Sequence, residues 1–380
     1  MAKWRLMEPM SSTNPPKIAI FVATSGHSGV DRVIRNLCAE FSRRGLRADL
    51  LHVAGHGPHL DPVPENVHVV ELGSAHVHTS LIPLVRYLRR ERPEALLSDK
   101  DKVNRTALLA RWLARVPTRV VVRIGTTVSK NLERRGALKR WGQVLSMRWF
   151  YRAAAAVLVP SEGAADDLAH VARLPRSHIR AVPSPIITPD LEHAAEADPG
   201  HPWPGDPQRP LLLGVGELCA RKDFATLLRA FARLRAERPC RLLLLGEGRQ
   251  RAKLEALAAE LGVAEDVELP GFVDNPYAYM ARADLFVLSS VCEGAPVVLM
   301  EALALGTPVV ATDCPSGPAE ILEGGRHGAL VPVGDADALA QAMAATLEHP
   351  PQRPALRAAA DRYRVETSAD RYLDALGLST

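Results

Sequence analysis

The sequence twice places an apolar strand before a glycine-containing loop and an amphipathic helix. The first unit has its strand at residues 17–23 and its helix at 30–44, where apolar residues recur every three or four positions. The second has its strand at 211–216 and its helix at 223–238, and such units build doubly wound α/β domains. Further strands of the first domain are predicted at 48–54, 67–72, 95–98 and 119–124. We therefore expect parallel sheets that are buried on both faces.

Length and composition agree with two such domains. The chain has 380 residues, of which 47% are apolar and 24% charged, and this balance is typical of globular proteins. No apolar run approaches the ~20 residues that span a bilayer. Proline and glycine are concentrated at 201–207, which predicts a connection there. The expected division is a flexible, non-secretory lead-in at 1–16, a first domain at 17–182, a linker at 183–210, a second domain at 211–362 and a terminal helix at 363–380.

Two glutamates, Glu293 and Glu301, bracket the start of a predicted helix that follows the apolar strand at 285–288. Pro296 suits the first helical position, where its missing N–H costs nothing. The free N–H groups of a helix start can hold a phosphate, and carboxylates beside them can accept hydrogen bonds from sugar hydroxyls. Glutamates at this spacing also occur on the solvated faces of many helices, so the pair alone decides nothing.

The surroundings of this pair form a longer motif. The pattern Glu-x7-Glu is followed by GTPVVATD at 306–313 and by SGPAEI at 316–321. This stretch resembles glycosyltransferase family 4, the retaining, nucleotide-sugar-dependent group 1 glycosyltransferases of the GT-B fold. The resemblance implies an α/β protein in which two doubly wound, Rossmann-like domains face each other across a cleft. The first domain would bind the acceptor, the second would bind the nucleotide-sugar, and the terminal helix would cross back to the first.

The resemblance implies a catalytic set of Glu293, Lys222 and Arg221. Lys222 matches a family lysine, and two cations at a dry site can stabilise the charge that develops on a diphosphate leaving group. Many relatives carry an arginine where this chain has Glu217, and Arg221 is the expected substitute. Glu293 would orient the sugar, and Glu301 would accept hydrogen bonds from the ribose. The alternative for the two basic residues is an ordinary solvated helix start.

Donor contacts are implied at the glycine loops and at the helix start. Gly29 corresponds to a family loop where missing side chains let the donor phosphate approach. Phe272 would lie along the base, although a core aromatic is an equally good interpretation. The run at 246–248 lacks the third glycine of a dinucleotide fingerprint, which argues against an oxidoreductase. The predicted donor-binding residues are Gly29, Gly216, Gly246, Phe272, Val273, Gly294, Ala295, Val297, Val298 and Glu301.

Acceptor contacts are expected in the first domain at His27, Arg123 and Thr126. An isolated loop histidine more often has no role, so the assignment of His27 has a strong alternative. Many family members have a histidine after the strand that here ends near Ile124, but Gly125 follows instead. The residues that could take over its function are Arg123, Thr126, Thr127, Asp99 and Asp101, and the sequence does not choose among them.

No metal or other cofactor is expected. The run Asp99-Lys100-Asp101 has the letters of a metal motif but not its setting, and the GT-B resemblance also implies metal independence. Five scattered cysteines, without a C-x-x-C pair, predict reduced cytosolic thiols. A net charge of +4 permits attraction to anionic substrates or membrane surfaces and does not require nucleic acid.

Residues 130–152 alternate basic side chains with apolar and aromatic ones, and Glu133 is their only acid. Such a segment can lie on an anionic membrane. The alternative is a helix that packs its aromatics inward and leaves its arginines in solvent. The first interpretation would place the protein in the cytoplasm, peripheral at the inner face of the cell membrane.

The function that these patterns predict is transfer of a sugar from a nucleotide-diphosphate donor, with UDP the choice on family frequency. The group transferred would be a hexosyl or acetylhexosaminyl group, and its acceptor would be a hydroxyl of a glycan, lipid-linked or envelope polysaccharide. The alternatives are a nucleotide-sugar epimerase of the same fold and a non-catalytic nucleotide-sugar-binding protein.

Overall fold

The computed structural model describes residues 16–26, 28–133, 136–206, 208–293, 295–315 and 317–378. His27, Gly294 and most of the expected lead-in lie outside the described residues. Within the described residues the strands form two separate sheets. The expectation of two Rossmann-like sheets is confirmed, because β1 pairs in parallel with both of its neighbours, as does β8. The strands are β1 (Lys17–Phe21), β2 (Arg47–His52), β3 (Val67–Glu71), β4 (Ala95–Asp99), β5 (Arg119–Arg123), β6 (Ala156–Val159), β7 (Ile179–Ala181), β8 (Leu211–Val215), β9 (Arg241–Leu245), β10 (Val267–Gly271), β11 (Leu285–Leu288), β12 (Val309–Thr312) and β13 (Ala329–Val331).

Helices alternate with these strands along the chain. Their apolar faces supply much of the core; in α8, for example, Leu227, Leu228 and Phe231 are fully buried. The α-helices are α1 (Gly29–Arg43), α2 (Leu81–Glu91), α3 (Asp101–Ala114), α4 (Val128–Glu133), α5 (Ala137–Phe150), α6 (Glu162–Ala172), α7 (Pro189–Glu196), α8 (Phe224–Glu237), α9 (Arg251–Glu260), α10 (Pro276–Arg282), α11 (Val297–Ala304), α12 (Pro318–Ile321), α13 (Ala336–Glu348), α14 (Arg353–Ala360) and α15 (Val365–Leu376).

Each sheet reverses its winding direction at one point. The first has the order β3-β2-β1-β4-β5-β6-β7, and the second has the order β10-β9-β8-β11-β12-β13. The reversals therefore fall between β1 and β4 and between β8 and β11. Ligands of open α/β sheets bind beyond the carboxyl ends of the strands at such points. A ligand-binding site is therefore expected in the loops that follow these four strands.

The chain divides into two compact units, residues 1–121 with 373–380, and residues 122–372. The division falls within β5. Inside the expected linker the structure has the short helix α7, which Pro189 begins, so this segment is not a simple extended connection. The domain limits expected from the sequence remain a prediction. No described helix is both long enough and apolar enough to cross a bilayer.

Candidate active site

The loop after β8 carries the basic pair to the reversal point of the second sheet. Asp223 caps α8, because its side chain accepts a hydrogen bond from the backbone N–H of Thr226. Lys222 precedes this cap and is only 8% exposed, whereas Arg221 is half-buried. The helix start therefore holds one ammonium group in a nearly dry position and a guanidinium beside it.

Glu293 lies in the loop after β11 and joins both cations. Its Oε1 accepts hydrogen bonds from Lys222 Nζ at 2.7 Å and from Ser290 Oγ at 2.8 Å. Its Oε2 accepts one from Arg221 Nη1 at 2.8 Å. We call these four residues the Glu293 cluster. Two cations face one buried carboxylate in the cluster, so it keeps a surplus positive charge, as a site for an anionic group requires.

Three hydroxyl groups fix the loops around the cluster, and none of them was predicted from the sequence. Ser289 Oγ donates to the carbonyl oxygen of Lys222 at 2.8 Å. Thr312, at the end of β12, donates to the carbonyl oxygen of Ser290 at 2.6 Å. Ser290 in turn donates to Glu293. The signal available in the sequence was the position of Ser289 and Ser290, directly after a buried strand.

The glycines after β8 and β9 are required by packing. Gly216 has a φ of +156°, and a Cβ there would lie 2.8 Å from Cε of Lys222. Gly246 has a φ of +140°, and a Cβ there would overlap the carbonyl oxygen of Gly216. The two loops thus touch backbone to backbone above Lys222. Because neither glycine has a side chain, there is room for the side chain of Lys222 beneath this contact.

Gly246→Ala is expected to lower the free energy of unfolding by about 2–4 kcal/mol, because it adds both backbone strain and overlap. Gly262→Ala is the matched control, since Gly262 also has a positive φ, +69°, but open space around its Cβ. We expect this control to cost about 1 kcal/mol. Urea unfolding of both variants measures the difference. Equal losses would show that overlap with Gly216 is not what constrains this loop.

Glu301 is 1% exposed on α11 and accepts a hydrogen bond at 3.1 Å from the hydroxyl of Tyr277, on α10. Tyr277 was not predicted from the sequence. The helix begins at Val297, one residue later than expected, and Pro296 is its N-cap residue. Around this start, Ala295, Val297 and Val298 are half-buried.

Phe272 is 75% exposed, directly after β10, and Val273 beside it is half-buried. The core interpretation of Phe272 is therefore wrong. A large aromatic ring in solvent at the carboxyl end of a strand is available to a ligand.

In the first unit, Gly29 is the first residue of α1, and a Cβ there would meet no atom within 4 Å. The loop before it is fixed by Asp31, which is fully buried and accepts hydrogen bonds from the backbone N–H of Ser28 at 2.7 Å and from the hydroxyls of Ser28 and Thr24. Burial raises the pKa of Asp31, but these hydrogen bonds outweigh it and hold the pKa below its ordinary value. The carboxylate is therefore a structural acceptor.

Of the acceptor-side candidates, Arg123 is 3% exposed, and its guanidinium donates to the hydroxyls of Tyr372 at 2.8 Å and Ser184 at 3.2 Å. Thr126 is exposed and accepts a hydrogen bond from Asn131 at 2.7 Å. Thr126 is thus accessible to a substrate. Arg123 is held within the buried structure of its unit.

Cys314 lies close to Glu293 and does not have the character of a nucleophile. Burial raises the pKa of the Cys314 thiol to about 11, and the nearby charge of Glu293 adds to the shift. The thiol is therefore protonated at neutral pH. Within the described part of the chain, no three His, Cys, Asp or Glu side chains form a set that could hold a metal ion.

Comparison with known proteins decides the family. The model of the family described as "Glycosyl transferases group 1" matches residues 209–349, and that of the "Glycosyl transferase 4-like domain" matches residues 28–185. The chain belongs to the group 1 glycosyltransferases. The Glu293 cluster lies entirely within the first of these matches.

Curated relatives match parts of this chain. The N-acetylgalactosamine-N,N'-diacetylbacillosaminyl-diphospho-undecaprenol 4-alpha-N-acetylgalactosaminyltransferase of Campylobacter jejuni is 38% identical over 169 residues, 43% of this chain and 46% of that protein. The alpha-D-kanosaminyltransferase of Streptomyces kanamyceticus is 28% identical over 249 residues, 64% of this chain and 61% of that protein. The chain thus covers less than two thirds of the length of either relative.

Solved structures match nearly the whole chain. HepE of Anabaena, in complex with UDP, has a TM-score of 0.77 at 17% identity, covering 95% of this chain and 99% of that one. A glycosyltransferase of Rickettsia africae has a TM-score of 0.77 at 14% identity, covering 96% and 98%. At such identities the likeness shows the fold alone, and it confirms the expected GT-B class.

Proposed function

We propose that this glycosyltransferase transfers a hexosyl or acetylhexosaminyl group from a UDP-sugar, with retention, to a hydroxyl of a glycan, lipid-linked or envelope polysaccharide acceptor. The observation that carries the proposal is the Glu293 cluster, in which one buried carboxylate is shared by Lys222 and Arg221 at the reversal point of the second sheet. A diphosphate is the anion that suits two adjacent cations at the start of a helix.

The charges of the cluster suit departure of a diphosphate. As the bond between the sugar and the diphosphate breaks, negative charge grows on the leaving oxygen, and the nearly buried ammonium of Lys222 stabilises it without reorganisation of water. Arg221, less buried, contributes from the open side. Because both cations are already fixed by Glu293, little ordering is needed when the donor binds.

Glu293 and Glu301 have separate roles in the proposal. Glu293 orients the sugar through its hydroxyls, and Glu301, held by Tyr277, accepts hydrogen bonds from the ribose. No carboxylate serves as a nucleophile, so the acceptor oxygen attacks the face that the diphosphate leaves. The proton of the acceptor hydroxyl passes to a diphosphate oxygen. Phe272 and Val273 lie along the base.

The relatives support the choice of substrates. HepE was solved with UDP, and also with UDP-glucose. The Campylobacter jejuni relative is named for a diphospho-undecaprenol acceptor, which is a lipid carrier. We extend the UDP-sugar donor and the lipid-linked acceptor to this chain. We also propose that residues 130–152 contact an anionic membrane surface.

Arg221→Ala is expected to lower kcat/KM about tenfold, because the family arginine is replaced by Glu217 and Arg221 alone supports Lys222 at the diphosphate. Adding Glu217→Arg to this variant should restore most of the loss, since it returns the guanidinium to the family position. Steady-state kinetics of the two variants measures both effects. Unchanged kinetics of Arg221→Ala would show that Arg221 has not taken over this role.

Transfer is expected to proceed without a metal ion. Incubation with EDTA followed by desalting should leave the initial rate unchanged, and added Mg²⁺ should not raise it. A rate that falls on chelation and returns with a divalent cation would contradict the metal-independent mechanism.

The experiment that tests the proposed function is a thermal-shift screen of nucleotide-sugars, followed by product analysis with the sugar that stabilises the protein most. A bound donor raises the free energy of unfolding, and with it the melting temperature, by an amount that grows with the logarithm of its concentration over Kd. Retained anomeric configuration in the glycan product is expected. Formation of an isomeric nucleotide-sugar without any acceptor would instead favour the epimerase, and binding without turnover would favour a non-catalytic protein.

A further inference from the structure

Helix α5 exposes an apolar face that the rest of its unit does not cover. Leu138 is 83% exposed, Trp141 64% and Trp149 73%, and Leu145 is also exposed. These residues are spaced by three and four positions, so they lie along one side of the helix. Only Met147 of this helix is buried. The expectation that the aromatics of this segment pack inward is therefore wrong for both tryptophans.

A groove of about 800 Å³ lies beside this face, between α4, α5 and α6. Three arginines line it, Arg140 and Arg148 from α5 and Arg173 from the end of α6, together with Trp141 and His170. Among the described residues that line the groove there is no carboxylate. None of the three arginines forms an ion pair with another described residue. The groove thus has a positive charge that the described protein does not neutralise.

We propose that this groove and the exposed face of α5 bind the surface of an anionic glycerophospholipid bilayer, with the arginines around a headgroup phosphate and Trp141 and Trp149 at the level of the headgroups. A guanidinium group can donate two parallel hydrogen bonds to the oxygens of one phosphate. Tryptophan has one apolar and one polar edge, which suits the membrane interface. The choice of a bilayer follows from charge complementarity and from the tryptophans. An acidic protein partner would match the arginines, but it would offer no acyl layer to the two tryptophans. The proposal rests on the proposed function, which places a lipid-linked or envelope acceptor at such a surface.

Flotation with vesicles measures the proposed binding. The protein should float with phosphatidylcholine vesicles that contain phosphatidylglycerol, less so at high salt, and not with pure phosphatidylcholine. The variant Arg140→Glu/Arg148→Glu/Arg173→Glu should bind at least about a hundredfold more weakly, since each basic residue near an anionic surface contributes about fivefold and the added carboxylates are repelled. The matched control is Arg35→Glu/Arg229→Glu/Arg371→Glu, which makes the same change in net charge at exposed positions of other helices. Equal loss in both variants, or equal binding to both kinds of vesicle, would overturn the proposal.

Fluorescence quenching tests the tryptophans without changing an arginine. Variants that retain Trp141 alone or Trp149 alone, with phenylalanine at the other tryptophans, should be quenched by brominated phosphatidylglycerol. A variant that retains only Trp203, which is half-buried against Arg241, should not. Absence of quenching at both Trp141 and Trp149 would contradict insertion of this face.

The stabilisation of each variant by UDP separates this proposal from the proposed function. The Arg140/Arg148/Arg173 variant should keep the full UDP-dependent rise in melting temperature, because the Glu293 cluster is unchanged. If the wild-type protein binds the anionic vesicles but not UDP or any nucleotide-sugar, the proposed function fails and the membrane surface stands. If the protein binds UDP but not the vesicles, the membrane proposal fails and the proposed function stands.

Discussion

Lys222→Met is expected to lower kcat/KM about a hundredfold to a thousandfold, the effect of removing one preorganised group that stabilises transition-state charge. Methionine keeps much of the unbranched stem that packs under Gly216, so the loop should keep its shape. The ammonium is lost, and Glu293 retains Arg221 and Ser290 as partners. Steady-state kinetics with the preferred donor measures the loss.

Lys253→Met, at an exposed position of α9, is the control for removing a positive charge from the same unit. It should leave kcat/KM within about twofold of the wild-type value, because a surface charge in water contributes little at a distance. A folded Lys222→Met enzyme with wild-type kinetics would contradict the role of Lys222 at the diphosphate. Circular dichroism and the melting temperature establish that the variant is folded.

Glu293→Gln is expected to lower kcat about a hundredfold while leaving the affinity for UDP unchanged or increased. The amide keeps the shape of the side chain but loses the charge that orients the sugar hydroxyls. It also leaves Lys222 and Arg221 without their carboxylate, so the site becomes more positive towards a diphosphate. Turnover numbers and calorimetric titration with UDP separate the two effects.

Glu301→Gln supplies the comparison, because its expected effect is the opposite. The variant should raise the KM for the donor more than it lowers kcat, since Glu301 is proposed to contact the ribose and not the transferred sugar. Tyr277 can still donate to the amide oxygen, so the buried position should remain intact. If Glu293→Gln raised KM and Glu301→Gln lowered kcat, the two roles would be exchanged.

The parts of the fold with strong local signals were predictable from the sequence. The limits of β11 agree with those expected, and α8 lies within the helix predicted at 223–238. Apolar periodicity and the placement of glycine and proline are local properties, so they can be read from the sequence without knowledge of tertiary contacts. The linker was harder, because α7 is a short helix among prolines and glycines.

The site was predictable only as far as its motif extends. The structure brings Glu293, Lys222 and Arg221 together, although 70 or more residues separate the glutamate from the basic pair. Ser290 and Thr312 escaped notice, because their roles depend on β11 lying next to β12 in the sheet. The packing role of Gly246 was also missed, since its contact is with Gly216, a residue 30 positions earlier.

The position of the diphosphate in a crystal structure with UDP tests the central claim most directly. The account predicts a diphosphate oxygen within about 3 Å of Lys222 Nζ, with the ribose hydroxyls at Glu301. UDP bound elsewhere, with no phosphate contact to Lys222 or Arg221, would contradict it.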